Sequence, residues 1–496
     1  MGPVKPTGMV LTREMAPADL DVWVRDCADA LDAGERMITL FGRTDTGDEV
    51  VTTAVLQGTD GKLNILRGRG KRGAKFASLT VRHPAVQMFE RQLWEQTGLT
   101  PLEHPWLKPV RYEGARQQQM AGHPFFTVRG RDIHEVGVGP IHASVIEPGH
   151  FRFMCHGEQV HHLEIQLGYQ HRGVEALLLR RPPLALTSLV ESIAGDTRVA
   201  YAWAYCAAME ALSGTQIDFC SDLVRGVALE LERIAMHLSS LTGLATDIAF
   251  LQGGATYGRL RTAIINASMR ACGSRFGRGW LRPGGVRFGI TDALRQDLLS
   301  TLTAFSRDIT QVNDLMLSAR SVQSRFQGVG IVSTQAAREI GLVGLVARAS
   351  GVAVDTRRSL PGHLYALHPV TVLTEDTGDC WARLKLRMRE IDESVRWLRQ
   401  VLDLPCLDGN ANADATPTPV GPLWPDTLCV SVREGFRGPV VHVVETGADG
   451  SLLHYKVQDP SLLNWFGLAL SLRDNEISDF PICNKSFDLS YCGNDL

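Results

Sequence analysis

Residues 139–175 read GPIHASVIEPGHFRFMCHGEQVHHLEIQLGYQHRGVE, and this stretch decides how the rest of the chain is interpreted. Apolar and polar residues alternate through 142–167, which predicts β-strands. The stretch ends in His171-Arg-Gly-Val-Glu175, where the chain is expected to enter a helix. Because His171 and Glu175 are four residues apart, they are predicted to share one helix face. A histidine and an arginine beside a buried carboxylate can bring its pKa near neutrality, so His171, Arg172 and Glu175 are candidates for a proton relay.

Alternative interpretations of this stretch stay open. Glu175 could instead form an ordinary ion pair at the start of a helix with Arg180 or Arg181. The adjacent His161 and His162 suggest a metal-binding pair. Neighbouring residues on a strand face opposite sides, however, so these two side chains are not expected to share an ion.

Composition limits the function classes. The chain has 496 residues, 44% of them hydrophobic, and a formal net charge of −3. It is long enough for two or three domains, and its mixed charges do not suggest a nucleic-acid surface. No apolar run approaches the roughly 20 residues that span a bilayer, and the first residues lack the pattern of a signal peptide. The ten cysteines form no C-x-x-C pair, so we expect them to be small buried residues.

A small α/β module is predicted near the start of the chain. It comprises a helix over 19–31, three strands, a Thr59–Lys62 turn that joins the last two strands, and a helix over 83–96 that ends before Gly98. The strands are predicted at 37–41, 50–56 and 63–66. Residues 104–131 are rich in Pro, Gly and Arg and are predicted to be an interdomain linker.

The rest of the chain is predicted to be mainly helical with flanking strands. Long helices are expected at 221–238, with Ser221 as the N-cap, and at 294–315 and 381–402. A Pro-, Asn- and Asp-rich loop follows at 405–425. Strands are then expected at 429–433, 440–445 and 453–457. The predicted fold class is α+β: a small N-terminal α/β module, then a large, mainly α-helical domain with β-strands.

Residues 139–175 resemble the opening of the catalytic subunit of membrane-bound, formate-hydrogenlyase-type nickel–iron hydrogenases. They also resemble the homologous quinone-site subunit of respiratory complex I. The block before them resembles the small peripheral-arm subunit of complex I. The resemblance implies two domains, a small peripheral-arm-type module with its linker at 1–128 and a hydrogenase-like domain at 129–496. Further fragments occur in family order: LERIAMHL (231–238), RPGGV (282–286), RFQGVGI (325–331), RASG (348–351), GDCWAR (378–383), EGFRG (434–438) and SDFP (478–481).

A hydrogenase of this type needs four cysteines, in an R-x-C-G-x-C motif and a D-P-C-x-x-C motif. This chain has SIAGDT at 192–197 and DLSYCG at 488–493. With Glu191, Gly195 and Asp488 as anchors, the former metal-ligand positions are Ala194, Thr197, Ser490 and Gly493. Nickel and iron at such a site are held by soft thiolates, which these residues cannot supply. We therefore expect no nickel–iron centre.

Other polar residues are implied to surround the former metal site. They could serve protonic or conformational coupling, or form an ion-pair plug that keeps the emptied pocket from collapsing; Arg348 with Asp355 is equally explained as a structural pair. The resemblance also permits a magnesium ion at Glu175. The residues expected to line the pocket are Glu191, Asp196, Arg348, Asp355, Arg437 and Asp488, with Lys485 and Asp495 nearby.

The complex I resemblance implies a quinone site in the loop between the first strands. His142 and His150 are the candidate ligands of the quinone headgroup. The family also uses a tyrosine about twelve residues beyond the histidine equivalent to His171, and this count falls on Pro183, which has no donor for a quinone carbonyl.

The resemblance implies a subunit of a complex for electron transport, located in the cytoplasm and peripheral to the membrane. Its implied partners are an iron–sulfur small subunit and antiporter-like membrane subunits. Three functions stay open. The chain could be a metal-free subunit that couples electron or proton transfer to ion translocation, a quinone reductase of the NADH-quinone oxidoreductase kind, or a purely structural subunit.

Overall fold

The computed structural model describes residues 7–45, 47–113, 116–143, 146–407 and 416–496. The predicted α+β class is confirmed. The strands are β1 (Thr7–Leu11), β2 (Ala18–Asp19), β3 (Arg36–Thr44), β4 (Glu49–Gln57), β5 (Leu63–Lys71), β6 (Lys75–Ala77), β7 (Thr100–Leu102), β8 (Ile133–Val138), β9 (His150–His156), β10 (Gln159–Gln166), β11 (Leu281–Arg282), β12 (Gly285–Val286), β13 (Thr427–Glu434), β14 (Pro439–Thr446) and β15 (Leu452–Gln458).

The α-helices range from single turns to long helices of six or more turns. They are α1 (Leu20–Asp32), α2 (Gln87–Thr97), α3 (Arg116–Ala121), α4 (Val174–Leu179), α5 (Thr187–Val190), α6 (Arg198–Ser213), α7 (Phe219–Asp247), α8 (Leu251–Cys272), α9 (Asp292–Ser318), α10 (Arg320–Phe326), α11 (Thr334–Glu339), α12 (Gly344–Ala349), α13 (Thr356–Ser359), α14 (Gly362–Leu367), α15 (Cys380–Leu402), α16 (Ser461–Ser471), α17 (Phe480–Phe487) and α18 (Tyr491–Asp495).

The small N-terminal module forms as its hydrophobic pattern predicts. Its sheet has the order β2-β5-β4-β3, and β4 and β5 are the antiparallel hairpin. Trp23 and the other apolar residues of α1 pack on this sheet, and a Cβ at Gly68 would lie 2.5 Å from Trp23 Cγ. Helix α2 ends at Thr97, and the next residue, Gly98, terminates it with a φ of 79°, in the left-handed region.

Long helices form the centre of the larger domain. Helices α7, α8, α9 and α15 pack against one another, and α6 lies across β13 and β14. Helix α7 begins at Phe219, because the Asp218 carboxylate accepts a hydrogen bond from Ser221 N at 2.8 Å. The prediction of Ser221 as the N-cap is wrong, since Asp218 offers a carboxylate acceptor three residues earlier.

A four-stranded antiparallel sheet, in the order β1-β13-β14-β15, packs against α6. Strand β1 comes from the start of the chain, and Met9 pairs with Cys429 of β13. Residues 7–11 therefore belong to the sheet of the larger domain, whereas the small module begins with β2. The predicted division at residue 128 otherwise stays a prediction.

The small module is held to the larger domain by apolar and ionic contacts. Ile38 and Phe41 share a hydrophobic cluster with Leu428 and other residues of the four-stranded sheet. Within the buried interface, Arg67 Nη2 lies 2.7 Å from Glu445 Oε1, and Arg43 Nε lies 3.0 Å from the other oxygen of the same carboxylate. The carboxylate of Glu445, in the larger domain, thus pairs with two arginines of the small module, and these ion pairs join the two parts of the chain.

The predicted linker packs closely against the larger domain where the structure describes it. Tyr112 is buried, and Lys108 Nζ lies 2.6 Å from Glu164 Oε1 on β10. Two linker residues, 114–115, lie outside the described residues, as do 408–415 of the predicted loop. Within the described ranges, no helix has the length and apolar character needed to cross a membrane.

Candidate functional site

The two segments predicted to have carried the metal ligands, 192–197 and 488–493, meet in the structure. Arg172 joins them, because its Nη2 donates to Ile193 O at 2.8 Å and to Cys492 O at 3.1 Å. The first segment leads into the N-terminus of α6, and the second comprises the turn between α17 and α18 and the first residues of α18. Arg172, predicted as a relay residue, thus links the two segments by hydrogen bonds to the main chain of each.

Arg437 lies at the centre of this junction, in the turn between β13 and β14. Its Nη2 and Nη1 lie 2.7 and 2.9 Å from the two carboxylate oxygens of Asp196, and Nη1 also donates to Thr197 Oγ1 at 3.3 Å. Its Nε donates to the main-chain oxygen of Asp488. One guanidinium therefore binds both segments at once.

Asp488 completes this group of charges. Its carboxylate accepts from Ser240 Oγ of α7 and lies 3.2 Å from Lys485 Nζ. Burial acts to raise the pKa of Asp488, but Lys485, Arg437 and Arg387 outweigh burial and lower it, so the group stays ionised at neutral pH. Asp196, Thr197, Ser240, Arg437, Lys485 and Asp488 are called the Arg437 cluster below.

The four predicted ligand positions do not offer a soft-metal site. Ala194 is buried and has no ligand atom, and Thr197 Oγ1 contacts Arg437. Ser490 Oγ accepts a hydrogen bond from Gly493 N at 2.9 Å, which caps α18. A Cβ at Gly493 would overlap Asp459 Oδ2, so a cysteine there would require a rearrangement. This set of donors does not fit a nickel–iron centre, which needs thiolates.

A network of buried polar and charged side chains extends from the Arg437 cluster into the core. Arg387 donates to Ser486 O at 2.8 Å, close to Asp488, and to His237 Nδ1 at 3.2 Å. His237 Nε2 lies 2.9 Å from Glu390, which accepts from Arg348 Nε at 2.8 Å. Burial lowers the pKa of His237 to about 4, so this ring is neutral at pH 7.

Beyond Arg348 the chain of charges continues to the base of the β13–β14 turn. Arg348 Nη1 lies 3.0 Å from Glu434 and 3.7 Å from Asp355, the predicted pair. Arg233 Nη1 and Nη2 donate to Gly435 O and Glu434 O, at 2.9 and 2.6 Å, which fixes the turn that carries Arg437. The whole set combines four carboxylates with four arginines: Glu230, Asp355, Glu390, Glu434, Arg233, Arg348, Arg357 and Arg387.

Glu175 has other partners than the sequence predicted. Its carboxylate lies 3.1 Å from Lys456 Nζ and 3.7 Å from Arg111 Nη1, and it accepts from Val457 N at 3.1 Å. The predicted pairing with Arg180 or Arg181 is wrong, because these long-range partners occupy the carboxylate.

His171 does not share a helix face with Glu175. Helix α4 begins only at Val174, and His171 Nδ1 lies 2.8 Å from Asp495 O. Burial acts to raise the pKa of Glu175, but Lys456 and Arg111 lower it to about 2. A carboxylate with this pKa does not exchange protons near neutrality, and the two cations oppose a magnesium ion at this place. The relay and magnesium predictions therefore gain no support from the geometry.

Two other predicted pocket residues lie outside the Arg437 cluster. Glu191 Oε1 accepts from Gly279 N at 2.7 Å, which anchors the loop after α8. Asp495 accepts from Gly168 N and Gln170 N at 2.8 and 2.9 Å, which holds the loop after β10. Both carboxylates bind backbone amides, whereas Asp196, Asp488 and Lys485 lie at the junction.

The two predicted quinone ligands lie in the loop before β9 and at the start of that strand. His142 Nε2 is 2.9 Å from Gly149 O, which closes the loop on itself. His150 begins β9, and its ring makes an edge contact with Phe125 at 5.4 Å. Among the described residues, the buried Nδ1 of His150 has no hydrogen-bond partner.

Glu232 is a residue of the site that the sequence patterns did not indicate. It lies on α7, beside the end of the first segment, and accepts from Val199 N at 2.7 Å and Ala200 N at 3.3 Å. Burial raises the pKa of Glu232 to about 8 although both backbone amides act to lower it. Glu232 is next to Arg233 in the LERIAMHL fragment. The sequence signal that could have indicated it is this pair of charged residues within an otherwise apolar helix.

A long-helix core, flanking sheets and a junction of two loop segments thus characterise the scaffold. Comparison with known proteins specifies the relationship. Residues 247–422 match the family model described as "Respiratory-chain NADH dehydrogenase, 49 Kd subunit". The chain is 29% identical to formate hydrogenlyase subunit 5 of Escherichia coli K12 over 450 residues, which cover 84% of this chain and 76% of that protein.

Further comparisons agree with this relationship. The chain is 32% identical to a subunit of the NADH-quinone oxidoreductase of Campylobacter concisus over 265 residues, covering 53% of this chain and 64% of the relative. A chain of the archaeal membrane-bound sulfane sulfur reductase shares the fold, with a TM-score of 0.68 and 22% identity, over 74% of this chain and 99% of that chain. The protein is a homologue of subunits of formate hydrogenlyase and of NADH-quinone oxidoreductase, and its residues 247–422 match the model of the respiratory-chain family.

Replacement of Arg437 tests the junction. In Arg437→Gln, Asp196 and the Asp488 main chain lose their shared donor, and we expect the free energy of unfolding to fall by about 3 kcal/mol. This is the low end of the range for a broken buried ion pair, because Asp196 is 39% exposed and can be rehydrated. Urea unfolding measures the change, with Arg358→Gln, an exposed arginine, as the control.

The double variant Asp196→Asn/Arg437→Gln removes both charges together. We expect it to recover part of the lost stability, because no unpaired carboxylate remains. A double variant that is no more stable than the single one would contradict an ion-pair role for Arg437.

The raised pKa of Glu232 predicts a pH dependence of stability. Between the ordinary pKa near 4.5 and about 8, the unfolded chain releases this proton while the folded chain keeps it. The contribution to stability is therefore present in full below pH 4.5 and is lost as the pH rises toward 8. Relative to Glu232→Gln, the native chain should lose up to about 1.4 kcal/mol per pH unit in this window.

Chemical unfolding at several pH values from 5 to 8 checks the Glu232 prediction. The exposed Glu49→Gln serves as the matched control, and its difference from the native chain should not vary with pH. A difference between Glu232→Gln and the native chain that stays constant over this range would show that Glu232 is ionised in the folded state.

Proposed function

We propose that this chain is the large subunit of the soluble arm of a membrane-bound, complex I-like oxidoreductase complex related to hydrogenases. In this proposal it works without a nickel–iron centre and couples electron or proton transfer to ion translocation. The observation that carries the proposal is the Arg437 cluster, in which ionised side chains occupy the junction where hydrogenases are expected to hold their metal.

The relatives support the class of complex. The formate hydrogenlyase relative and the NADH-quinone oxidoreductase relative are each named as one subunit of a larger enzyme, and this chain aligns with both. The junction segments have Ala, Thr, Ser and Gly at the four predicted ligand positions. These residues supply no thiolate, which a nickel–iron centre needs as its ligand.

The buried chain of charges supports a coupling role. Asp488 at the junction is linked through Arg387 and His237 to Glu390, and onward to Arg348. A shift of Asp488 or Arg437 alters the hydrogen bonds of each neighbour in turn, because these groups are largely buried and need their partners. Such a connected set can transmit a change at the junction into the helical core.

The proposed partners are an iron–sulfur small subunit and antiporter-like membrane subunits. The proposed location is the cytoplasmic face of the membrane, where those subunits would anchor the chain. A purely structural role is the alternative within the same complex. In that case the ion pairs would fill the former pocket without taking part in coupling.

Purification of the whole complex provides the test. The affinity tag belongs at the N-terminal end, because the side chain of the last residue, Leu496, is buried. Elemental analysis should find nickel well below one atom per chain, whereas about one nickel per chain would overturn the metal-free proposal. The co-purified proteins should include an iron–sulfur subunit and membrane subunits.

Asp488→Asn separates coupling from structure. The complex should still assemble, because the amide keeps the shape of the side chain, but ion uptake driven by an artificial low-potential donor in proteoliposomes should fall at least tenfold. Asp314→Asn, at an exposed position of α9, should leave uptake unchanged. Normal uptake by assembled Asp488→Asn complex would reject the coupling role and favour the structural one.

Quinone reduction at the His142/His150 loop is the second candidate function. The observation in its favour is the buried Nδ1 of His150, which has no partner among the described residues and could donate to a quinone carbonyl. His150→Phe keeps an aromatic ring at the edge of Phe125 but removes this nitrogen. The KM for a short-chain quinone should then rise at least tenfold, while His134→Phe, at an exposed position, should have no effect. An unchanged KM in His150→Phe would reject this site.

A further inference from the structure

Two cysteines face each other next to the Arg437 cluster. Cys380 is the first residue of α15 and Cys483 lies in α17. Their sulfur atoms are 3.8 Å apart, and both side chains are fully buried. Thiols at this separation need to approach by only about 1.8 Å to reach disulfide bonding distance.

The surroundings of Cys380 favour a thiolate. Arg383 Nη2 lies 3.3 Å from Cys380 Sγ, and Ser486 Oγ lies 3.6 Å from the same sulfur. The N-terminus of the 23-residue helix α15 adds its positive end. Burial acts to raise the pKa of Cys380, but Cys483, Arg383 and Ser486 lower it to about 6.

Cys483 has the opposite tendency. Its hydrogen bond with Cys380 and its burial raise its pKa well above the ordinary value. Within the pair the negative charge is therefore favoured on Cys380 and the proton on Cys483. This is the division that peroxide chemistry needs, because a thiolate attacks first and a second thiol then resolves the product.

A glycine separates the two thiols from the surface. A Cβ at Gly330 would lie 2.5 Å from Cys483 Sγ and 3.3 Å from Cys380 Sγ, so only backbone can cover the sulfurs here. Gly328, two residues earlier in the same loop, is exposed. Peroxide can therefore reach the sulfurs only when this loop moves.

We propose that Cys380 and Cys483 form a redox-active dithiol that hydrogen peroxide or a similar small peroxide converts to a disulfide. The Cys380 thiolate attacks a peroxide oxygen, the O–O bond breaks, and Cys380 becomes a sulfenic acid with release of hydroxide. Cys483 then attacks the Cys380 sulfur, forms the S–S bond and displaces hydroxide, which takes up the proton of Cys483. Overall, one thiolate, one thiol and one hydrogen peroxide give one disulfide, one water and one hydroxide.

The disulfide would act on the junction through α17. It would join the start of α15 to the helix that ends just before Asp488. It would also remove the negative charge beside Arg383, which donates to Ser486 Oγ at 2.8 Å, two residues before Asp488. Oxidation would therefore change the contacts that hold α17 and Asp488 in place. This effect does not depend on which reaction the complex catalyses.

A second cysteine pair in the chain provides a matched control. Cys220 and Cys406 are neighbours, since Cys220 Sγ donates to Cys406 O at 3.2 Å, and both side chains are partly exposed. Burial and the nearby Cys220 raise the pKa of Cys406 to about 12. If exposure governs oxidation, this pair should react first. If thiolate stabilisation governs it, Cys380 and Cys483 should react first.

The test exposes the reduced, purified full-length protein to hydrogen peroxide at pH 7 and measures each cysteine by isotope-coded alkylation after denaturation. Cys380 and Cys483 should be lost together, at least about tenfold faster than Cys220 and Cys406, because the thiolate is the reactive form. A peptide linked by Cys380 and Cys483 should appear and should disappear after dithiothreitol treatment. Faster loss of the Cys220–Cys406 pair, or loss of Cys380 without the linked peptide, would overturn the proposal.

Cys483→Ser gives an independent check, since serine is close to cysteine in size. Without the second thiol, the sulfenic acid on Cys380 should persist, and dimedone should label Cys380 at least tenfold more than in the native protein. Cys220→Ser should leave that labelling unchanged. Equal dimedone labelling of Cys380 in the native protein and in Cys483→Ser would show that Cys483 does not resolve the sulfenic acid.

Discussion

The contact of Arg437 with both motif segments is the interaction on which the junction depends. Its guanidinium binds the carboxylate of Asp196 in the first segment and the main chain of Asp488 in the second. The turn that carries Arg437 is itself held by Arg233 from α7. A Cβ at Gly344 would overlap Arg437 O, so α12 approaches the same turn through a glycine. The strands, α7, α12 and both segments therefore meet around one side chain.

Burial of so many charges is costly unless each has a partner. Replacement of a complete buried ion pair by apolar residues is often neutral for stability, whereas removal of one partner is strongly destabilising. The chain of Arg348, Glu390 and His237 follows this logic, because each polar group contacts the next within hydrogen-bond distance. Such a set gives little net stability but fixes one arrangement of the core.

The sequence predicted the elements better than the contacts between them. Hydrophobic periodicity located α1, the β4–β5 hairpin, α9 and α15, because these signals are local. An ion pair of Glu175 with Arg180 or Arg181 was one of two alternatives, and the sequence could not indicate its actual partners, Lys456 and Arg111, because they are distant in sequence. For the junction, the motif anchors drew attention to Asp196, Asp488 and Lys485, which contact one another or Arg437 in the structure. They could not show that Glu191 and Asp495 bind backbone amides, which depends on the tertiary fold.

The charges of the junction also limit how protons could move there. The pKa of Asp196 is lowered by Arg437, and that of Asp488 by Lys485 and Arg437, although burial opposes both shifts. Groups held ionised in this way are fixed charges at neutral pH and cannot both accept and release protons. Glu232, whose pKa burial raises to about 8, is the neighbouring carboxyl suited to that task. At this junction the Arg437 cluster therefore supplies fixed charges, whereas the protonation of Glu232 changes near neutral pH.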